Sequence, residues 1–140
     1  MTGVPFCHTA EKLGPWPAHA IEHQLSAWYD VTHGHGLAVV IPALLRHILN
    51  ETSAPVIAAY GVNVFGIIMG SDVMETAERA IDKTEEFFQS LGLGLKLKDL
   101  GIESEEHFDK MAEVALTDGL DGCLVDLTKE DIVEIYKDCE

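Results

Sequence analysis

Residues 19–36 read HAIEHQLSAWYDVTHGHG, and this stretch decides how the rest of the chain is interpreted. Pro17, just before it, suits the first turn of a helix, where a missing N–H costs no hydrogen bond. The residues that follow predict a helix to about Tyr29 or Asp30, and the glycines near the end of the stretch predict its break. A helix, a break and a second apolar segment therefore set the pattern for the whole chain.

Apolar segments of helical character continue after this stretch. Residues 36–49 read GLAVVIPALLRHIL, in which Pro42 predicts a kink. Residues 56–69, VIAAYGVNVFGIIM, follow a predicted N-cap at Thr52-Ser53. They are apolar on nearly all sides, which is typical of a central core helix.

The second half of the chain predicts three amphipathic helices. The first has an apolar stripe across residues 73–91, and Ser104 is the predicted cap of the second. Thr128 and Asp131 have the spacing of a capping box at the start of the third. Only residues 93–99, LGLKLKD, alternate like a strand, and they are few. About six helices without a convincing sheet predict an all-α helical bundle.

The net charge of −15 lies mostly in the second half of the chain. Residues 1–70 hold four acidic and two basic side chains, whereas residues 71–140 hold twenty acidic and seven basic ones. Nucleic-acid binding depends on lysine and arginine that neutralise phosphates, and an anionic membrane surface repels an acidic chain. The longest apolar stretch, residues 55–70, is shorter than the roughly 18 residues of a membrane span. Neither nucleic acid nor membrane is an expected partner.

Length and cysteine use predict one domain in a reducing compartment. Cys7, Cys123 and Cys139 form neither a disulfide framework nor a metal-binding CxxC pair. The N-terminus has no basic region followed by an apolar run, so we expect a cytoplasmic protein. We expect residues 1–15 to be an irregular tail and residues 16–140 to form the helical part.

Histidines are concentrated in the opening stretch. His19 and His23 lie four residues apart, so they share a helical face. His33 follows the predicted helix end, where a turn at Gly34 can fold it back beside them. Neutral imidazoles bind Zn or Fe(II), and three of them leave a coordination position open for a substrate. Surface or internally bonded histidines are the ordinary alternative, and the residues alone leave both open.

A second interpretation comes from the pattern H-x-x-E-H at His19, Glu22 and His23. This is the inverted-zincin signature, in which two histidines bind zinc and the glutamate is the general base of a metallohydrolase. Five residues make a weak pattern, and the signature also requires a third ligand elsewhere. Spacing alone does not reject it.

A much longer pattern runs from Trp16 to Ala38 and reads W-x-x-H-x-I-E-H-x-L-S-A-x-Y-D-V-T-H-G-x-G-L-A. It resembles the metal-site region of the iron-containing (group III) alcohol dehydrogenases, and most closely their butanol-dehydrogenase-like branch. The likeness continues through IPALLRHIL, AYGVNVFGI, AIDKTEEFFQSLGL, KLKDLGI and LTKEDIVEIYKDC. It covers nearly the whole chain from residue 16 onward, so it is far more specific than a five-residue motif.

The resemblance implies roles for the histidines. Family members have an NAD(P)-binding α/β domain, an all-helical domain and a divalent metal, usually Fe(II) or Zn, between them. An aspartate and a histidine four residues apart hold the metal together with two histidines fourteen residues apart, and His19 and His33 match that second pair. His23 matches a histidine near the nicotinamide and substrate that is thought to assist proton transfer. Glu22 is then a partner of the ligands rather than a catalytic base. In this family the metal acts as a Lewis acid on the alcohol oxygen while hydride passes to the cofactor.

The sequence also departs from the family pattern. These 140 residues contain neither the cofactor domain nor the earlier Asp-x-x-x-His pair, so HAIEHQLSAWYDVTHGHG supplies half of a metal site. His35 stands where a small residue is usual, and Gly94 stands where proline is frequent. His35 and Glu22 are therefore candidate substitutes for the missing ligands.

These departures predict a chain that is inactive by itself. We expect the C-terminal part of a metal-dependent, NAD(P)-linked alcohol dehydrogenase, acting on an alcohol or aldehyde, as a truncated product or a split subunit. The alternative is an interaction module that completes an active site with a separate cofactor-binding chain, because an uncovered apolar face favours association. A homodimer is a related expectation.

Overall fold

The computed structural model describes residues 17–118, 120 and 124–140, and within these ranges it contains helices and no strand. The six α-helices are α1 (Pro17–Tyr29), α2 (His33–Ile48), α3 (Ala54–Phe65), α4 (Val73–Ser90), α5 (Phe108–Thr117) and α6 (Lys129–Asp138). The all-α prediction is confirmed. The predicted tail, residues 1–15, lies outside the described residues. None of the described helices combines the length and the apolar character needed to cross a membrane.

Helix α2 lies at the centre of the bundle. It packs against α1, α4 and α6, while α3 packs mainly on α4, and α5 packs on α1 and α6. Its buried residues include Val39, Val40 and Leu44, which join one continuous apolar core. Pro42 lies inside α2 and is buried, and the helix continues through it. Residues of both α1 and α2 belong to this apolar core, so packing restrains the junction between the two helices.

The predicted break at Gly34 and Gly36 is wrong, because both glycines lie inside α2. The chain turns earlier, at Asp30, whose φ of 55° is in the left-handed region. Thr32 then takes the N-cap position with an extended backbone. Gly36 instead lets α2 pack closely against Glu22 of α1, because a Cβ placed there would lie 2.4 Å from the Oε1 atom of Glu22.

The predicted central helix over residues 56–69 is also wrong in part. Helix α3 ends at Phe65, and Gly66 closes it in the left-handed conformation with φ of 67°. Beyond that point Ile68 is 83% exposed and Met69 is 48% exposed. The apolar composition of this segment did not reveal that α3 is covered mainly on the one face that packs against α4. On that face, a Cβ at Gly61 would lie 2.5 Å from the Cβ of Ala80, so small residues bring α4 close.

The segment that alternates like a strand, residues 93–99, forms no strand and leads into a short 3₁₀ helix, Leu97–Leu100. Leu97 is buried, and its N–H donates to the carbonyl oxygen of Cys139 at 2.7 Å. The Cys139 thiol is buried too, and burial raises its pKa to about 12, so it is an inert core residue. The alternation therefore marks a loop that fastens the end of α6 to the core.

Helix α6 begins with the predicted capping box and reaches across to α1. The Thr128 hydroxyl accepts from the N–H of Asp131, and the Asp131 carboxylate accepts from the N–H of Thr128. Hydrogen bonds from Thr128, followed by one from His47, lower the pKa of Asp131. Further along α6, the buried Tyr136 hydroxyl donates to the carbonyl oxygen of Ile21 at 2.7 Å. This bond joins the last helix to the helix that carries His19 and His23.

The Tyr136 hydrogen bond can be tested against a matched tyrosine. Tyr136→Phe should lower the free energy of unfolding by about 1 kcal/mol, because a buried hydrogen bond is lost while the ring remains. Tyr29→Phe should change it by less than about 0.5 kcal/mol, because the buried Tyr29 hydroxyl has no hydrogen-bond partner among the described residues. Urea unfolding followed by circular dichroism measures both. Equal losses in the two variants would contradict the role given to Tyr136.

Candidate metal centre

The structure brings His19, His23 and His33 together at the junction of α1 and α2. The ring centroids of His19 and His33 are 5.1 Å apart, those of His23 and His33 are 5.3 Å apart, and those of His19 and His23 are 5.9 Å apart. The first two lie one helical turn apart on α1, and His33 is the first residue of α2. The turn that folds His33 back is the one at Asp30.

Glu22 lies behind the three imidazoles and is completely buried. Its Oε2 atom is paired with Nδ1 of His33. Its Oε1 atom accepts from the Ser26 hydroxyl at 2.6 Å, and the same hydroxyl oxygen lies 2.9 Å from the carbonyl oxygen of Val31. Burying a carboxyl group is costly unless its oxygens are hydrogen-bonded, and here both have partners.

The close approach at Gly36 completes the space around Glu22. An added Cβ would lie 2.4 Å from Oε1, 2.8 Å from Cγ and 3.0 Å from the carboxyl carbon of Glu22. At Gly34, two residues earlier in the same helix, an added Cβ would meet nothing within 4 Å. Of these two glycines, only Gly36, which faces Glu22, is required by packing.

Burial favours the neutral form of His19, which is the form that binds metals. Desolvation lowers its pKa below the ordinary value, the neighbouring His33 and His23 lower it further, and Glu22 opposes them. A histidine with a lowered pKa is neutral near pH 7, and a neutral imidazole has a lone pair for a cation. His23 is exposed, and the side chain of His33 is 46% exposed. The cluster is therefore open to solvent on one side.

Two groups of donor atoms among the described residues are close enough to hold an ion. Glu22, His23 and His33 each offer one atom, all within 4.8 Å of one another. The other group is His47, Asp131 and Glu134. In that group Asp131 already accepts from Thr128 and pairs with His47, so its oxygens serve the cap of α6. The group at the α1–α2 junction, which does not include His19, is the stronger candidate.

His35 does not join the cluster, although it was a candidate ligand from the sequence. Its Nε2 atom lies 2.8 Å from the carbonyl oxygen of Gly94. A carbonyl oxygen only accepts, so this nitrogen carries the proton and has no lone pair for a metal. His35 connects the start of α2 to the loop after α4.

Sequence reasoning did not identify Ser26 and Gly36 as parts of this site. Ser26 lies four residues after Glu22, which places both side chains on one face of α1 and was the available signal. Gly36 gave a misleading signal, because a glycine after a helix is usually a break rather than a packing point.

Comparison with known proteins identifies the family to which the chain belongs. The family described as Fe-containing alcohol dehydrogenase family, C-terminal, matches residues 9–139. NADH-dependent butanol dehydrogenases A and B of Clostridium acetobutylicum are 41% and 42% identical to this chain over 124 and 125 residues. Each match covers 87% of this chain and 32% of the relative. The chain therefore spans about a third of the length of these relatives.

Solved structures give the same result. A 1,3-propanediol oxidoreductase matches with a TM-score of 0.80 and 30% identity over 89% of this chain and 32% of its own. The NADH-dependent butanol dehydrogenase A of Thermotoga maritima matches with a TM-score of 0.76 and 30% identity over 90% of this chain and 33% of its own. The chain belongs to the Fe-containing alcohol dehydrogenase family and corresponds to its C-terminal, all-helical part.

Proposed function

We propose that this chain supplies the metal-binding and substrate-facing part of an NAD(P)-linked alcohol dehydrogenase. The observation that carries the proposal is the convergence of three imidazoles, one of them paired with a buried carboxyl group. A histidine whose second nitrogen is bonded to a carboxyl group is the usual form of a metal-ligating histidine. The donor set therefore fits Fe(II) or Zn.

His19 and His33 are the proposed metal ligands. Burial lowers the pKa of the half-buried His19, which favours the neutral form that binds metals, and His33 is held at the first residue of α2. A divalent metal at this position supplies a Lewis acid that polarises the alcohol or aldehyde oxygen. His23 is exposed beside them, and we assign it to proton exchange between the substrate oxygen and solvent.

The substrate is proposed to be a small alcohol or the matching aldehyde. Relatives named butanol dehydrogenase and 1,3-propanediol dehydrogenase support this class. Because the chain spans about a third of those relatives, we propose that turnover needs the residues that bind NAD(P) and the two further ligands. A cytoplasmic location stays a prediction.

An interaction role is the second candidate, and exposed apolar side chains favour it. Val64, in the last turn of α3, is 48% exposed, and after the helix Ile68 is 83% exposed and Met69 is 48% exposed. Such a patch is typical of a surface that another chain or domain covers. A separate cofactor-binding chain or a second copy of this chain are the partners that fit the proposal.

The inverted-zincin interpretation has little support from the geometry. A general base must reach the attacking water, whereas the Glu22 side chain is completely buried with both oxygens engaged. This leaves the dehydrogenase proposal as the one that uses His19, His23 and His33 together.

Metal binding tests the ligand assignment. Anaerobic titration calorimetry of the metal-free chain with Fe(II), and in parallel with Zn(II), should show weak binding, with Kd of about tens of micromolar, because two ligands are fewer than a closed site provides. His19→Ala and His33→Ala should abolish it. His35→Ala is the matched control and should leave the metal affinity unchanged, because His35 is hydrogen-bonded to the carbonyl oxygen of Gly94. Submicromolar binding, or binding that survives His19→Ala, would contradict the assignment.

Reconstitution tests the need for the rest of the enzyme. The purified chain should show no NAD(P)H-dependent reduction of butanal. Co-expression with a chain that carries the preceding two thirds of a butanol dehydrogenase should restore activity, and His33→Ala in this chain should remove it again. Activity of the purified chain alone, confirmed by its loss in His33→Ala, would overturn the proposal of inactivity.

A further inference from the structure

The position of the proton on His33 decides which of its nitrogens can bind a metal. A neutral imidazole has one N–H and one lone pair, and the hydrogen bond made by one nitrogen determines the state of the other. In His33 the nitrogen engaged within the protein is Nδ1, and its partner is Oε2 of Glu22. An ionised carboxyl group has lone pairs and no proton, so its oxygen accepts from an N–H.

We infer that Glu22 is a positioning residue that holds the His33 proton on Nδ1 and so leaves the lone pair of Nε2 for the metal. The inference rests on the proposed ligand role of His33. It adds a residue that acts through His33 and does not touch substrate or metal.

The surroundings of Glu22 fix the orientation of its carboxyl group. Ser26 holds Oε1 from one turn further along α1, and the same hydroxyl oxygen is near the carbonyl oxygen of Val31 in the turn. Gly36 contacts the other side, where no room remains for a methyl group. With Oε1 held by Ser26 and the carboxyl group packed against Gly36, Oε2 faces His33.

Direct ligation by Glu22 is the competing arrangement, because its donor atom lies within 4.8 Å of those of His23 and His33. The exposed fractions of the two side chains favour the positioning role of Glu22 over direct ligation. The side chain of Glu22 is 0% exposed, whereas that of His33 is 46% exposed. An ion that arrives from solvent therefore meets the imidazoles first, and Glu22 stays behind them.

The first test needs no metal. In the full chain labelled with ¹⁵N-histidine, long-range ¹H–¹⁵N spectra at a pH where His33 is neutral report which ring nitrogen carries the proton. Wild type should show His33 protonated on Nδ1. A proton on Nε2 in the wild type would overturn the inference whatever any variant does.

The variants separate the hydrogen bond from charge and from packing. Glu22→Gln should keep the Nδ1–H form, because the amide oxygen accepts from His33 and the amide NH₂ donates to Ser26. Glu22→Ala should shift His33 toward the Nε2–H form. Gly36→Ala should do the same by displacing the carboxyl group, and Gly34→Ala, in the same helix, should not.

Circular dichroism and thermal unfolding confirm that each variant is folded. An Nδ1–H form that persists in folded Glu22→Ala would overturn the inference.

Zinc affinity is the second readout. Removing such a partner of a ligand typically weakens metal binding about 10–100-fold, so Glu22→Ala and Gly36→Ala should fall in that range. Glu22→Gln should stay within about 10-fold of wild type. Complete loss in Glu22→Gln would show that Glu22 is itself a ligand and would overturn the positioning role. If His33→Ala leaves zinc binding intact, the proposed function fails, whereas the tautomer result still decides what Glu22 does.

Discussion

The buried carboxyl group of Glu22 is the constraint on which the junction of α1 and α2 depends. A carboxyl group with 0% exposure is tolerated only when both oxygens have partners, and Ser26 and His33 are the residues in reach. The oxygens reach these partners because α2 begins at His33 and because Gly36 has no side chain to displace the carboxyl group. This polar interaction thus orients His33, and the close approach of the two helices at Gly36 accompanies it.

Packing of the other helices supports the α1–α2 junction on the side away from the histidines. Helix α2 is surrounded by α1, α4 and α6, and α6 is bonded to α1 through the Tyr136 hydroxyl. The 3₁₀ helix and the Cys139 carbonyl then fasten the end of α6. Sites of this kind need ligands held by a rigid scaffold, because a small displacement of a ligand weakens a metal site. Among the described residues His23 and His33 are exposed, which is consistent with the proposal that another domain faces them.

The sequence predicted the helical class, the capping box at Thr128 and the three histidines that the structure brings together. The sequence predictions were wrong where contacts between helices determine the local structure or the burial of a residue. Gly34 and Gly36 look identical as helix breakers, yet only the second faces a buried side chain. The apolar segment that contains α3 gave no sign of which face α4 covers, so Ile68 was expected inside and is exposed. Ser26 was overlooked because a serine within a helix has no sequence signal that separates a buried hydrogen bond from a solvent-facing one.

The most direct test of this account is nuclear magnetic resonance of the ¹⁵N-histidine-labelled chain with excess ¹¹³Cd(II), a spin-active stand-in for Zn or Fe(II). Scalar coupling between the metal and an imidazole nitrogen identifies the nitrogen that binds. The account predicts coupling to Nε2 of His33, while its Nδ1 keeps the proton shared with Glu22. Coupling to Nδ1 of His33 would contradict it, because the pairing with Glu22 would then have to break for the metal to bind.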